Sequence, residues 1–551
     1  MFLQRYHIDL AVRRKERRRP MREGKKMHDH GKPRHRKLSA IALACFLGLS
    51  AAAYADPEIV PLTPTQQRLL QGTLERELAP LIVGVRAYED QIQDFPLKVS
   101  VSADRRITLD LGAEAGPHAQ EELEDFHTRL YHRVMYHADK TGVGSMVDFR
   151  YGGKPMESFT PQGPMSGEEI KLDSSPGVTR SSAILVSPSH GYYYHHTLLE
   201  WKTQRPERNG IIEDFLTPAY ARELAFWTSR RSGIDTVIPR SYSDEVNGDS
   251  GHAWSAMGAK YHLKTLLPDN PEIWSSRASQ ANGLLDYRQD IKSRPLLANY
   301  LNVSAAIHLH TNGSDQNPAA NGTRAIYHTG RSTDEKLANS VLCSMGEIIH
   351  ATESFESFNV AGIAESRSNL AENSLAAMPS VLVEIGFHTN AGDAAALKDA
   401  TFRTASMKGV EKGYRLFTEG KKCEPFTLTK VVDDPVPLGT FIPVDAHYEG
   451  NPEFEATLVT EYVECPDDMQ CWTAEIPFDK RPSPVRFFID CGSSPAPREH
   501  RMQVKIIDTD NVDTGWEPYT VSCPGNRDRN ARSAFNERTY VAPVGDLIGI
   551  P

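Results

Sequence analysis

The sequence predicts an α/β protein. A mostly parallel, twisted sheet with helices on both faces forms the centre, preceded by a small α+β module and followed by an all-β, sandwich-like domain. Three observations predict this. Over residues 178–420, short apolar runs alternate with stretches of helical period, as a parallel sheet covered on both faces requires. Over 56–170, two amphipathic helical stretches bracket alternating, strand-like runs. Over 424–525, short strand candidates are separated by Pro, Gly and Asp turns, the spacing of an antiparallel sandwich. A chain of 551 residues has room for several domains, and 526–551 reads as a charged tail.

The chain opens on a targeting pattern. The first 37 residues hold 14 Lys/Arg against 4 Asp/Glu, and residues 38–55 are an uncharged apolar run ending in Ala53-Tyr-Ala. A basic start, a short apolar core and a small-x-small end read as a secretory signal peptide. Met27 gives a better-proportioned start for it than Met1. The run is short for a bilayer, so no stable membrane span is expected after cleavage. The mature protein is expected in the periplasm or outside the cell. The whole chain carries a formal charge of −10; without a leader that contributes a net +10, it stands near −20. That balance excludes nucleic acid as the natural partner.

The module at 56–170 is predicted to hold a helix from Pro64 to about Ala87, strands at Leu97-Lys-Val-Ser-Val and Ile107-Thr-Leu-Asp-Leu, and a helix from about Ala119 to His137. A Gly/Pro/Ser-rich stretch, Tyr151–Gly177, reads as a linker. In the central domain the expected strands are Ala183-Ile-Leu-Val, Thr236-Val-Ile, Val303–His308 and Ser380–Glu384. The expected helices are Phe215–Arg230, Lys292–Leu301, Thr333–Ile349 and Ala394–Phe417. Ligands in such sheets bind beyond the carboxyl ends of the strands, which is where His190, His308 and Glu384 fall.

Six cysteines follow the leader, an even count that in an exported protein favours disulfides. The preferred pairing is Cys343–Cys423, Cys465–Cys471 and Cys491–Cys523. A cysteine zinc site is disfavoured because the chain has no CxxC pair.

The chemistry lies in four segments: Ser187-Pro-Ser-His190-Gly, Asn209-Gly-Ile-Ile-Glu213, Ala306-Ile-His308-Leu-His310-Thr-Asn312 and Val381-Leu-Val-Glu384-Ile-Gly-Phe. Two imidazoles and a carboxylate can hold a zinc ion with a position left for water, and a second carboxylate can move protons. Taken singly, Glu213 would read as a first-turn helix charge and either histidine as a hydrogen-bonded core residue. His308 and His310 share one strand face, so one of them suffices as ligand. Glu384 is the sharpest case, because a carboxylate closing a buried apolar run is costly unless it has a task.

These segments resemble those of the zinc-dependent N-acetylmuramoyl-L-alanine amidases of bacterial cell walls. Asn209-Gly-Ile-Ile-Glu213 with Ala221-Arg-Glu-Leu-Ala resembles the family's Gly-x-x-Glu and helix. Arg294-Pro-Leu-Leu-Ala-Asn299 resembles its Arg…Ala-Asn helix, and Pro379-Ser-Val-Leu-Val-Glu384-Ile-Gly-Phe-His-Thr-Asn390 its catalytic motif. The resemblance covers roughly 180–420 in content and order. It implies zinc bound by His190, Glu213 and His308, Glu384 as general acid/base, and peptidoglycan or muropeptides as substrate. Tyr192, His310, Asn312 and Asn390 are read as substrate-facing.

Two departures stand out. Ser187-Pro-Ser-His190-Gly-Tyr192 replaces the family's Asp-x-Gly-His-Gly-Gly, which removes an aspartate from behind the first ligand. Residues 241–293 are longer than the usual connection, and suit a lid, a specificity loop or the docking surface of an activator protein. Two other classes share parts of the pattern. One is a zinc peptidase acting on wall peptides, although its His-x-x-Glu pair is absent around His190. The other is a non-catalytic wall-binding protein on the same scaffold.

Overall fold

The computed structural model describes residues 61–86, 92–119, 123–139, 146–159, 182–276, 283–315, 317, 319–433, 440–465, 471–479, 482–491 and 496–524. The leader, most of the expected linker and the tail lie outside them. No helix among the described residues is long and apolar enough to cross a membrane.

The first module begins with α1 (Pro64–Leu78). Thr63 caps it: its hydroxyl accepts from the Gln66 N–H, and the Gln66 side chain accepts from the Thr63 N–H. Leu70, Leu74 and Leu78 recur every four residues and are buried together. The helix stops well short of Ala87, because Pro80 cannot supply the next helical N–H. Strands β1 (Lys98–Val101) and β2 (Arg106–Asp110), helix α2 (Glu124–Asp139), and strands β3 (Met146–Tyr151) and β4 (Lys154–Pro155) complete the module. The sheet order is β1-β2-β3-β4, with β2 and β3 parallel and α2 crossing between them. Tyr151, expected to open the linker, is instead a fully buried end of β3.

The central domain runs β5 (Ile184–Pro188), α3 (Glu213–Trp227), β6 (Thr236–Val237), α4 (Leu285–Leu301), β7 (Ala306–Asn312), β8 (Arg324–His328), α5 (Ser332–His350), β9 (Glu365–Arg367), β10 (Ser380–Phe387), α6 (Ala391–Lys398) and α7 (Ala400–Thr418). The sheet order is β6-β5-β7-β10-β8-β9, parallel except where β8 meets β10. Every residue of β5 and β7 is buried, as continuous apolar runs in a parallel sheet demand. The single closing helix expected from Ala394 is two helices. Asp399 accepts from the N–H groups of Thr401 and Phe402, which caps α7 and ends α6. The expected strand Val303–His308 starts and ends later, at Ala306 and Asn312.

The last domain packs two antiparallel sheets. Strands β11 (Thr427–Asp433), β12 (Phe441–Glu449) and β15 (Val485–Asp490) form one; β13 (Ala456–Tyr462), β14 (Thr473–Phe478), β16 (Arg498–Ile507) and β17 (Glu517–Cys523) form the other. The expected disulfides Cys343–Cys423, Cys465–Cys471 and Cys491–Cys523 are all formed. The last ties the end of β15 to β17, across the two sheets. Asp510, 3% exposed, takes Arg231 at 2.6 Å and Lys408 at 2.8 Å, so the sandwich is pinned to the central helices.

Candidate metal centre

Strands β5, β7 and β10 run parallel side by side, so their carboxyl ends stand together. Register then decides which side chains meet. His308 pairs with Ser187 and Leu382, while His310 pairs with Glu384 one pleat further on. His190 follows β5 by two residues, and Glu213 is the first residue of α3. Both arrive level with His310.

His190, Glu213 and His310 are buried, and their donor atoms lie within 4.8 Å of one another. His310 Nδ1 is 3.0 Å from Glu213 Oε1, and the two imidazole rings stand edge-on with centroids 5.0 Å apart. The expected third ligand was His308, but the structure gathers His310 into the triad. The strand ends four residues later than the apolar pattern suggested, which leaves His308 below the site. There both ring nitrogens of His308 are buried without a hydrogen-bond partner, and burial pushes its pKa down to about 3.

The triad fits a metal ion. His190 Nε2 and Glu384 Oε2 are buried polar atoms with no hydrogen-bond partner, a cost that a cation or its bound water would offset. Burial, reinforced by the charge of Glu213, pushes Glu384 up to about 7, while His310, Arg367 and Arg205 pull the other way. A carboxyl poised near neutrality can take and return a proton. Burial also opposes ionisation of Glu213, yet His310 and Arg205 hold its carboxyl below the usual range.

A second carboxylate braces His310. Glu372 Oε1 lies 2.8 Å from His310 Nε2 and 2.8 Å from Arg294 Nη1. Burial works against a charged imidazole, but Glu372 and Glu213 outweigh it and push His310 up to about 10 in the metal-free protein. With Glu372 accepting from Nε2, the Nδ1 of His310 is the nitrogen turned to Glu213, and so to a metal.

Arginines, not a carboxylate, stand behind His190. The Arg240 guanidinium donates to the His190 carbonyl, to the Asp214 carbonyl at 2.8 Å, to Met257 at 3.1 Å and to Ser255 at 3.0 Å. It thereby fastens the first ligand loop and the start of α3 to the 241–293 insertion. Arg294 Nη2 approaches His190 Nδ1 at 3.5 Å. Gly191 is required by proximity: a Cβ there would sit 2.5 Å from the backbone of Met257 and Gly258. Tyr192 hydrogen-bonds through its backbone to Ala256 and Gly258, so the insertion is built into the wall of the site.

The expected substrate-facing residues part ways. Tyr192 stacks on His252 with centroids 3.8 Å apart, beside the site. His310 belongs to the triad. Asn312 is buried; its side chain accepts from Gly313 N–H at 2.9 Å and bonds His132 of α2. Asn390 caps α6, accepting from the N–H groups of Gly392 and Asp393, a role that occupies the side-chain oxygen.

Residues 184–414 match the family profile described as N-acetylmuramoyl-L-alanine amidase. This segment is a domain of that family. Among solved structures, the chain is similar to the N-acetylmuramoyl-L-alanine amidase from Clostridium difficile 630, at 16% identity over 44% of this chain and 100% of that one, with a TM-score of 0.30. It is also similar to AmiC2 of Nostoc punctiforme (16%, 44% and 99%, TM-score 0.29). The catalytic domain of CwlV from Bacillus (Paenibacillus) polymyxa var. colistinus matches at 17%, 43% and 99%, with a TM-score of 0.28. No curated protein sequence matches. The amidase domain is that of a hydrolase acting on peptidoglycan.

Sequence reasoning missed two residues of the amidase site. Glu372 lies in Asn369-Leu-Ala-Glu-Asn, where nothing in the local pattern sets it apart from a surface carboxylate. Arg205 is placed by Asp214, which accepts from the Gln204 and Arg205 N–H groups. Its Nε lies 3.8 Å from Glu213 and its Nη1 2.8 Å from the Tyr287 hydroxyl. The only sequence signal for it was an arginine shortly before the Glu213 motif.

Proposed function

We propose that the amidase domain cuts the bond between N-acetylmuramic acid and the L-alanine of the stem peptide with one zinc ion held by His190, Glu213 and His310. The buried His–Glu–His triad, with Glu384 beside His310 in register, carries this reading. Two imidazoles and one carboxylate suit zinc with a coordination position left open. Bound there, zinc would polarise the scissile carbonyl and lower the pKa of its water towards ~7. Glu384 takes the proton of the attacking water and hands it to the leaving amine. Arg205, 3.8 Å from Glu213, brings a guanidinium to the edge of the triad, where positive charge would favour a developing oxyanion. Glu372 and Arg294 hold the His310 ring in place.

The decisive experiment incubates purified protein with muropeptides, with and without a chelator, and reads products by mass spectrometry alongside metal content. Lactyl-ended glycan and an intact stem peptide with a free L-alanine amine are expected, lost on chelation and regained with zinc. Cleavage inside the peptide, or none with zinc bound, would overturn the reading. Export is proposed from the leader pattern, with Asp56 as the first mature residue. N-terminal sequencing of protein from the wall compartment checks this, and a retained leader would refute it.

A further inference from the structure

Helix α4 closes the 241–293 insertion and ties it to the metal centre. Asp286 in its first turn takes Lys260 Nζ at 2.6 Å and the Tyr261 hydroxyl at 2.6 Å. Asp290, one turn on, accepts from the Lys260 N–H at 3.1 Å. Lys260 and Tyr261 belong to the insertion's own helix, Ala259–Leu266. Lys260, Asp286 and Asp290 are all buried, so the insertion is fastened to α4 through contacts shielded from water.

The same end of α4 grips the segment that precedes Glu213. Asp290 Oδ2 accepts from Gln204 Nε2 at 2.9 Å, and the Tyr287 hydroxyl accepts from Arg205 Nη1 at 2.8 Å. Positions 287 and 290 are three apart and so neighbours on the helix surface, and together they hold two successive residues. The Tyr287 ring also lies nearly parallel to the His190 imidazole, at 15° with centroids 6.4 Å apart. Arg205 in turn stands 3.8 Å from Glu213. One tyrosine, delivered by the end of the insertion, thus packs near the first ligand and hydrogen-bonds the guanidinium beside the second.

Asp214 fixes the backbone N–H of Arg205 at 3.2 Å, but the arginine side chain is 28% exposed and has several rotatable bonds. A donor helps a transition state most when it is already aimed and need not reorganise as charge develops. We propose that Tyr287 is a positioning residue for amide hydrolysis: its hydroxyl holds the Arg205 guanidinium at the edge of the triad, ready for the oxyanion. The insertion then serves catalysis as a fixed support rather than a lid. This rests on the amidase reading, which supplies the oxyanion that Arg205 meets.

Tyr287→Phe in the full chain tests this, because it keeps the ring beside His190 and removes only the hydroxyl. With muropeptides, kcat is expected to fall about tenfold, the worth of one hydrogen bond, while KM and zinc affinity stay within about twofold. Arg205→Ala should cost about 10²–10³-fold in kcat. Tyr287→Phe added to it should cost less than about twofold more, since Tyr287 acts through Arg205. A second readout needs neither zinc nor turnover. In the metal-free protein the Arg205 Nε–H should give its own slowly exchanging NMR signal, which merges with those of exposed arginines in Tyr287→Phe. Loss of zinc affinity in Tyr287→Phe, a loss of kcat that adds in full to that of Arg205→Ala, or an unchanged Arg205 signal overturns the inference. An Arg205 signal that depends on Tyr287 in a protein that cuts no amide would sink the amidase reading alone. Amide hydrolysis with wild-type turnover in Tyr287→Phe would sink the positioning role alone.

Discussion

Replacing His310 and His308 one at a time separates the two histidines that period-two reasoning leaves equivalent. His310 contacts two buried carboxylates, at 3.0 and 2.8 Å, and its pKa is pushed from 6.5 up to about 10 in the metal-free protein. A rise of that size corresponds to about 5 kcal/mol. Because the folded-state value is raised, this stabilisation is fully present below pH ~6.5 and is lost as pH climbs to about 10. His310→Ala should therefore destabilise the metal-free protein by several kcal/mol near pH 6 and much less near pH 10. It should also abolish tight zinc binding, since two ligands remain. His308→Ala removes an imidazole with two unsatisfied buried nitrogens, so relief of roughly 1–3 kcal/mol offsets much of the cavity cost. Its zinc affinity should stay within about tenfold of wild type, because the His308 ring bonds to none of the three ligands. Chelator competition measures the affinity, and thermal melting of metal-free protein at two pH values measures the stability. Zinc lost in His308→Ala but kept in His310→Ala would refute the placement of the site.

Four further outcomes follow from the structure. Glu384→Gln should keep stoichiometric zinc and lose about 10²–10⁴-fold in turnover, and wild-type turnover in that variant would remove Glu384 from the chemistry. Glu384 must be ionised to accept a proton, so kcat/KM should rise about tenfold per pH unit as pH climbs towards about 7 and then level off, with bound metal moving the midpoint lower; a flat profile from pH 5 to 7 argues against it. Glu372→Gln should weaken zinc binding about 10–100-fold in chelator competition, and an unchanged affinity would show that Glu372 does not orient His310. Asp510→Ala takes the carboxylate from Lys408 and leaves Arg231 only Glu411 at 3.8 Å, which should cost about 3–5 kcal/mol and appear in calorimetry as earlier melting of the C-terminal sandwich.

Much of the fold was legible because burial leaves a local record. The apolar runs of β5 and β10 and the four-residue leucine spacing of α1 each show in a short window of sequence. Boundaries were less legible. Asp399 splits one expected helix into two through a capping geometry that a periodic pattern does not register. The end of β7 mattered most, since the strand runs four residues past His308 and brings His310, not His308, into the buried triad.

The sequence alone determined the chemistry on offer: the ordered His190, Glu213 and Glu384 motifs, the disulfide cysteines and the α/β alternation that gathers strand ends. Those are properties of residue type and spacing. Tertiary structure decided which histidine stands level with Glu384, that Asn390 spends its side chain on a helix end, that Glu372 reaches His310, and that Tyr131 of α2 meets Arg367 of β9. These depend on register between distant strands and on contacts across 62 to more than 200 residues of chain, as with Glu372 and His310 or Tyr131 and Arg367. A side chain's neighbours along the sequence carry no trace of such partners, because the free energy that selects them arises only once the core has closed.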